Sequence, residues 1–426
     1  MVRLENLIPQ GVQDTHSNVY EVKERIISNI KQVFKTFGYR QILTPTFEYY
    51  DLFLRAKRTI RKDEMFKLID EKGEILVLRP DITTPIARVA ASYSNQKDNR
   101  LKFFYSTNIF RINRENNCSR KEFTQAGIEY IGNNSEDADG EICAAAIECF
   151  LKCNIADFKI DLGQAAFFRG LVKEIDIDNE EIKKLKDLIE HKNFAEVKEI
   201  SRKLNVSEKV KDVIDKMPYL YGDADKVLQM AKTLVLNKEM EDSLINLQNV
   251  YKVICDYGFG NFVSVDLGLI NHIDYYTGVI FKGYLNNYGK EVMSGGRYDD
   301  LVSEYGHEIP ATGMGINVDE LIEAMESMDL IDEKSSKTDF VLIYTENYRK
   351  EAVILSRKLR DWGKIVETDK IENTKKYTNA SDITEIVSVK DELLSVFDKN
   401  SGTEYKCTVA QFLNKVFNSK EVFSIH

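Results

Sequence analysis

The residues best suited to chemistry in this sequence hold a small zwitterion rather than attack one. Leu78 to Pro85 sets the carboxylate of Asp81 and the hydroxyl of Thr83 at the end of a strand-like run, framed by two of only six prolines. That makes a rigid ledge suited to gripping such a zwitterion. Asp81 has a second reading, as the cap of the helix that follows. Arg111, where a strand-like run ends, carries a guanidinium able to grip a carboxylate through two hydrogen bonds. Gln125 and Glu129 share parity on the next run, so they point to one sheet face, either toward a ligand or toward solvent. His272 tempts toward catalysis, but a lone imidazole without an orienting partner is more often structural.

Composition narrows the field. The 426 residues are 43% hydrophobic and 30% charged, ordinary for a soluble globular chain of two or three domains. No apolar run reaches the length of a signal peptide core or a membrane span, so a cytoplasmic protein with no membrane partner is expected. Six cysteines without CxxC pairs and five histidines without HExxH argue against zinc, disulfides and any metal site. No cofactor is expected. Lys plus Arg is 59 against 69 for Asp plus Glu, a net charge of −10, which leans against extended contact with a nucleic-acid backbone.

These side chains need a sheet to hold them. An amphipathic helix with Val19, Val22, Ile26, Ile27, Ile30, Val33, Phe34 and Phe37 at helical spacing ends at Gly38, and Arg40 to Leu43 reads as a short strand. Phe47 to Phe53 reads as a helix, and Met65 to Ile69 and Ile75 to Leu78 as a hairpin across Gly73. Lys102 to Phe110 and Glu122 to Ile131 are strands joined by the polar loop Asn113 to Lys121. Glu136 to Lys152 is a helix whose Cys149 and Cys153 are packed thiols. From Asn179 to about Asp256 the pattern is almost wholly helical. Phe262 to Leu269 and Pro310 to Val318 are strands, and Ser294-Gly295-Gly296 allows a close backbone approach. After the polar linker near residues 333–336, runs at 339–344, 349–362, 364–367 and 383–389 alternate strand and helix. By count, residues 335–426 hold 15 Lys/Arg and 14 Asp/Glu.

The segment from Ser294 to Leu321, the helix and strand before Pro45, the paired strands around Asn113 to Lys121, and Leu269 to Gly278 together resemble the histidyl-tRNA synthetase family, a class II aminoacyl-tRNA synthetase. The resemblance implies an α+β fold: an antiparallel sheet flanked by helices over residues 1–330, with a helical insertion at about 179–256. Residues 335–426 then form a small α/β domain like a degenerate anticodon-binding domain. It also implies a histidine pocket made by Asp81, Thr83, Arg111, Gln125, Glu129, Tyr275, Tyr276, Arg297 and Tyr298, with the tyrosine pair against the imidazole.

Several positions depart from the synthetase pattern: Asp81 stands where the synthetases usually carry glutamate, Thr124 where they have histidine and His272 where they have glycine, while Asn113 replaces a glutamate, Ser119 a loop arginine, Asn271 the arginine of the histidine-specific motif, and Glu320 the arginine that closes on ATP. Adenylate formation needs cations around a triphosphate, and Glu320 places like charge there, worth roughly 4 kcal/mol at 4 Å and an effective dielectric of about 20. A pocket kept while its phosphate-binding charge is lost resembles the regulatory subunits of ATP phosphoribosyltransferase. That family implies a chain with no catalytic residues of its own. It pairs with a short-form catalytic subunit in the first step of histidine biosynthesis, takes histidine as effector, forms a homodimer within a hetero-oligomer and binds no tRNA. The alternative is a divergent, active histidyl-tRNA synthetase, which histidine-dependent pyrophosphate exchange into ATP would reveal.

Overall fold

A computed structural model describes residues 8–55, 60–93, 100–112, 120–270, 276–331, 337–380 and 382–421. Residues 22–331 belong to one compact unit and residues 337–421 to another. The first unit opens with α1 (Ser17–Thr36), whose apolar positions recur every three or four residues and bury Val22, Ile26, Ile27, Ile30, Val33 and Phe34. Val19, the first of that series, stays 41% exposed. Gly38, at φ +83°, ends the helix by turning the chain so that Tyr39 N–H bonds to Phe34 C=O at 3.1 Å.

Strands β1 (Arg40–Gln41), β2 (Phe47–Tyr49), β3 (Lys67–Ile69) and β4 (Ile75–Leu78) follow, with α2 (Tyr50–Arg55) after β2 and α3 (Thr83–Tyr93) after β4. Here the expectation of a helix from Phe47 to Phe53 is corrected. Phe47 and Tyr49 pair with Leu78 and Leu76 across β2 and β4, and the helix starts only at Tyr50. Next come β5 (Leu101–Phe110), β6 (Glu122–Ile131), α4 (Glu136–Lys152), β7 (Phe158–Gln164) and α5 (Ala165–Val172). The helical stretch resolves into α6 (Asn179–Glu190), α7 (Phe194–Lys203), α8 (Glu208–Lys216), α9 (Ala224–Lys232) and α10 (Lys238–Asp256), interrupted by the two-residue β8 (Tyr221–Gly222). The unit closes with β9 (Val263–Asp266), β10 (Val279–Leu285), β11 (Glu291–Arg297), α11 (Asp299–Ser303), β12 (Ala311–Asn317) and α12 (Val318–Ser327).

Nine strands form one sheet in the order β1-β5-β6-β12-β11-β10-β7-β9-β8, antiparallel throughout from β5 to β7. Period-two alternation divides β6 between two cores. Ala126, Ile128 and Tyr130 face a large core with α1, α4 and α10, while Ile131 faces a smaller one with Ile86 and Ala90 of α3 and Leu301 of α11. The helical stretch is no separate body, since Leu185, Val213, Leu228 and Leu247 join the large core. Gly295 and Gly296 lie inside β11, paired with Phe281 and Ile280 of β10. Among the described residues no helix is long and apolar enough to cross a membrane, and no group of three His, Cys, Asp or Glu is placed to hold a metal.

The second unit contains β13 (Thr338–Tyr344), α13 (Arg349–Asp361), β14 (Val366–Lys370), α14 (Thr374–Thr378), β15 (Ile383–Val389), β16 (Leu394–Asp398), β17 (Thr403–Cys407) and α15 (Val409–Glu421). Its sheet runs β14-β13-β15-β16-β17, parallel at β14, β13 and β15 and antiparallel beyond. Central β13 is buried on both faces, Phe340 and Leu342 on one and Val341 and Ile343 on the other.

Candidate functional site

On the α3 side of the large sheet, β4, β5, β6, β11 and β12 enclose a cavity of about 120 Å³. Its lining includes Asp81, Thr83, Arg111, Gln125, Glu129, Tyr276 and Tyr298. An open cleft of about 1160 Å³ lies over β2 and β4, but the polar groups converge in the smaller space, which makes it the candidate ligand site.

The end of β4 is fastened from three sides, which fixes the ledge. Buried Arg79 donates from Nε to Asn108 C=O and from Nη1 to Thr44 C=O, both at 2.8 Å, and from Nη2 to Thr107 Oγ1. Arg111 Nε donates to Pro80 C=O at 2.6 Å, and its guanidinium lies 5.9 Å from the Phe123 ring centroid. Both readings of Asp81 hold together. Its Oδ1 accepts from Thr84 N–H at 2.7 Å and its Oδ2 from Thr84 Oγ1 at 3.0 Å, capping α3, while the same side chain lines the cavity. Burial pushes its carboxyl up, against the Thr84 hydrogen bonds and the Arg111 charge.

Glu129 forms the floor. It is 1% exposed, so the solvated-face reading of this position falls. Thr83 Oγ1 donates to its Oε1 at 2.8 Å and Tyr298 Oη to its Oε2. Burial pushes its pKa up to about 8 despite those two donors, and the Asp81 charge pushes the same way. Gln125, two steps along the same face, accepts from Tyr105 Oη at 3.1 Å. Glycines make the room: a Cβ at Gly313, the register partner of Glu129, would stand 1.8 Å from Glu129 Oε2, and one at Gly315 would stand 2.6 Å from Gln125 Nε2.

Among the cavity residues that escaped the sequence reading, two carry polar side chains, Tyr105 and Glu291. Tyr105 lies opposite Gly127, and its hydroxyl sits 2.5 Å from where a Cβ there would stand. A glycine flanked on its own face by Gln125 and Glu129 was the available signal. Glu291, at the start of β11, lines the cavity as well, and nothing local announces it.

Arg297 is corrected in place. It is not among the cavity lining, because its guanidinium is buried against Asp139 Oδ2 (3.0 Å), Asp299 Oδ1 (3.2 Å) and the carbonyls of Asn133 and Ser135. It braces the turn before α4 behind the site. Tyr275, Asn113, Ser119, Asn271 and His272 lie outside the described residues. Glu320 is described, on the first turn of α12, which Asn317 caps through Glu320 N–H. Its carboxylate accepts from Tyr288 Oη and pairs with Lys290 Nζ at 3.1 Å. Beside it, buried Asp319 binds Lys23 Nζ (2.7 Å), Arg120 Nη1 (2.9 Å) and Thr124 N–H (2.6 Å), and Arg120 also reaches Glu323.

A family profile described as histidyl-tRNA synthetase matches residues 11–321. The chain is 36% identical over 424 residues to the ATP phosphoribosyltransferase regulatory subunit of Clostridium novyi (strain NT), covering 98% of this chain and 100% of the relative. It is 36% identical over 410 residues to that of Acetivibrio thermocellus, covering 95% and 98%. A solved structure described as an ATP phosphoribosyltransferase regulatory subunit/histidyl-tRNA synthetase from Bacillus halodurans matches with a TM-score of 0.81 at 30% identity, over 90% of this chain and 98% of that one. Histidyl-tRNA synthetase from Nostoc sp. PCC 7120 shares the fold, with a TM-score of 0.81 at 20% identity over 97% and 99%. On this evidence the chain belongs to the family of ATP phosphoribosyltransferase regulatory subunits, built on the histidyl-tRNA synthetase fold.

Proposed function

We propose that the cavity receives free histidine as a feedback signal, and that the chain serves a short-form ATP phosphoribosyltransferase catalytic subunit without forming an adenylate itself. The observation that carries this reading is a contrast between two neighbouring places. At the cavity, Asp81 and Thr83 suit the α-ammonium, Arg111 the carboxylate, and Gln125, Glu129 and Tyr276 the imidazole. At the start of α12, where a triphosphate would need cations, the acids Asp319, Glu320 and Glu323 already pair with Lys23, Arg120 and Lys290. A polyphosphate arriving there meets neutralised cations and three carboxylates, which removes the electrostatic basis for activation.

The remaining features fit a cytoplasmic hetero-oligomer. Leu43, Phe47, Tyr49, Ile69 and Ile75 are exposed apolar residues around β2 to β4, a surface suited to a homodimer contact. The second unit, read as a degenerate anticodon-binding domain, has almost balanced charge and suits protein contact better than tRNA. The test is reconstitution. Mixed with a short-form catalytic subunit, the chain is expected to co-elute with it, raise its transferase rate, and confer inhibition by histidine. No complex and no change in rate would contradict the assignment.

A further inference from the structure

Of the three acids lining the cavity, two are held by neutral donors: Asp81 by Thr84, and Glu129 by Thr83 and Tyr298. Glu291 differs. Its side chain is 45% exposed and its Oε2 pairs with Lys282 Nζ at 3.0 Å. The same ammonium, only 14% exposed, stands 3.6 Å from Glu190 Oε1, on the last residue of α6. One cation thus sits between a carboxylate of the cavity and a carboxylate of the helical stretch.

Helix α6 is the element that can feel such a change. It buries only Leu185 and Ile189, and the turn after it is pinned by polar contacts. Lys192, at φ +53°, binds Asp266 Oδ1 at 2.6 Å and lies 5.1 Å from the Tyr221 ring centroid. Leu185 and Ile189, with the partly buried Ile182 and Leu188, seat the body of the helix on the large core, so the Lys282–Glu190 pair bears on its last turn.

We propose that Lys282 is a shared counter-ion that couples occupation of the cavity to the seating of α6, through competition between a ligand N–H and Lys282 for Glu291. This rests on the reading of the cavity as a histidine site. When a ligand N–H takes Glu291, Lys282 is left to Glu190 and the ion pair at the end of α6 tightens. Lys282 and Glu190 are positioning residues in this scheme, and Glu291 is the group that meets the ligand. Because coupling between two sites is reciprocal, the two positioning residues act on histidine affinity in opposite directions. Losing Lys282 frees Glu291 for the ligand, whereas losing Glu190 leaves Lys282 wholly to Glu291.

The experiment uses the full chain with histidine as probe, read by calorimetry and by hydrogen exchange of residues 179–192. In the unaltered chain, histidine is expected to slow exchange in α6 at least about fivefold, the lower end of ordinary coupling between sites. Lys282→Met is expected to bind histidine several-fold more tightly with no response in α6, Glu190→Gln to bind it several-fold more weakly, and Lys282→Arg to keep the original behaviour. A purely structural role moves both variants in one direction. That result, or histidine binding to the unaltered chain without slowing exchange in α6, would overturn the coupling while leaving the histidine site standing. If Lys282→Met does not fold, the Glu190→Gln shift and the α6 response still decide the matter. No histidine binding to the unaltered chain would remove the site and the coupling together.

Discussion

Glu129 concentrates the chemistry of the cavity in one carboxyl group. With its pKa pushed up to about 8, it holds its proton at neutral pH, and a ligand N–H that prefers the carboxylate must drive that proton off. Histidine binding at pH 7 is therefore expected to release a proton, and affinity to rise as pH goes from 6 toward 8 and then level off. Calorimetry in buffers of different ionisation enthalpy measures both; proton-neutral binding would contradict the assignment of Glu129 to the ligand. Glu129→Gln should weaken histidine by roughly 10- to 100-fold, the worth of a hydrogen bond to a charged group, and abolish the proton release. The sign for folding follows from the same shift. A carboxyl that ionises near 4.5 in the unfolded chain and near 8 in the folded one makes the folded state hold the extra proton between those values. Stability therefore declines as pH rises through that window, and Glu129→Gln should flatten the decline in urea titrations.

At the scale of elements, the hairpin of β5 and β6, the helix α4 and the helical character of Asn179 to Asp256 were legible because apolar residues recur there at strand or helix spacing over long stretches. The parity of Gln125 and Glu129 likewise put both on one face, as the sheet confirms. What failed depended on neighbours far along the chain. Phe47, Tyr50 and Phe53 have helical spacing, yet Phe47 and Tyr49 are claimed by Leu78 and Leu76 of β4. Arg297 borders the site in sequence, but Asp139 draws its guanidinium behind the sheet. Glu291 reaches the cavity only because β11 lies between β10 and β12, an order no local pattern reveals. The short strands β16 and β17 went unread although they pair with each other across a short turn, because five-residue runs carry little periodicity. Helix α12 offers the element-scale prediction. Asp319 ties it to α1 through Lys23 and to β6 through Thr124 N–H, so Asp319→Ala leaves the half-buried Lys23 and the buried Thr124 N–H without their carboxylate and should cost about 3 kcal/mol of unfolding free energy. A loss under about 1 kcal/mol in urea denaturation would mean that the acids of α12 are not structural.

For the whole molecule, the account joins a synthetase scaffold to a regulatory use. In the proposed reading the cavity still takes an amino acid, while the acids on α12 oppose a triphosphate. Apolar Leu43, Phe47, Tyr49, Ile69 and Ile75 remain exposed around β2 to β4, so sedimentation is expected to find a dimer that the double variant Tyr49→Lys, Ile69→Lys splits into monomers. Dimers of unchanged strength in that variant would place the interface elsewhere. The central claim is that this cavity binds histidine without activating it, and the most direct test is calorimetric titration of histidine into the purified full chain followed by ATP in the same cell. The account predicts a saturable histidine signal at one site per chain and no heat from ATP. Absence of a histidine signal would contradict it, as would ATP binding accompanied by histidine-dependent pyrophosphate exchange.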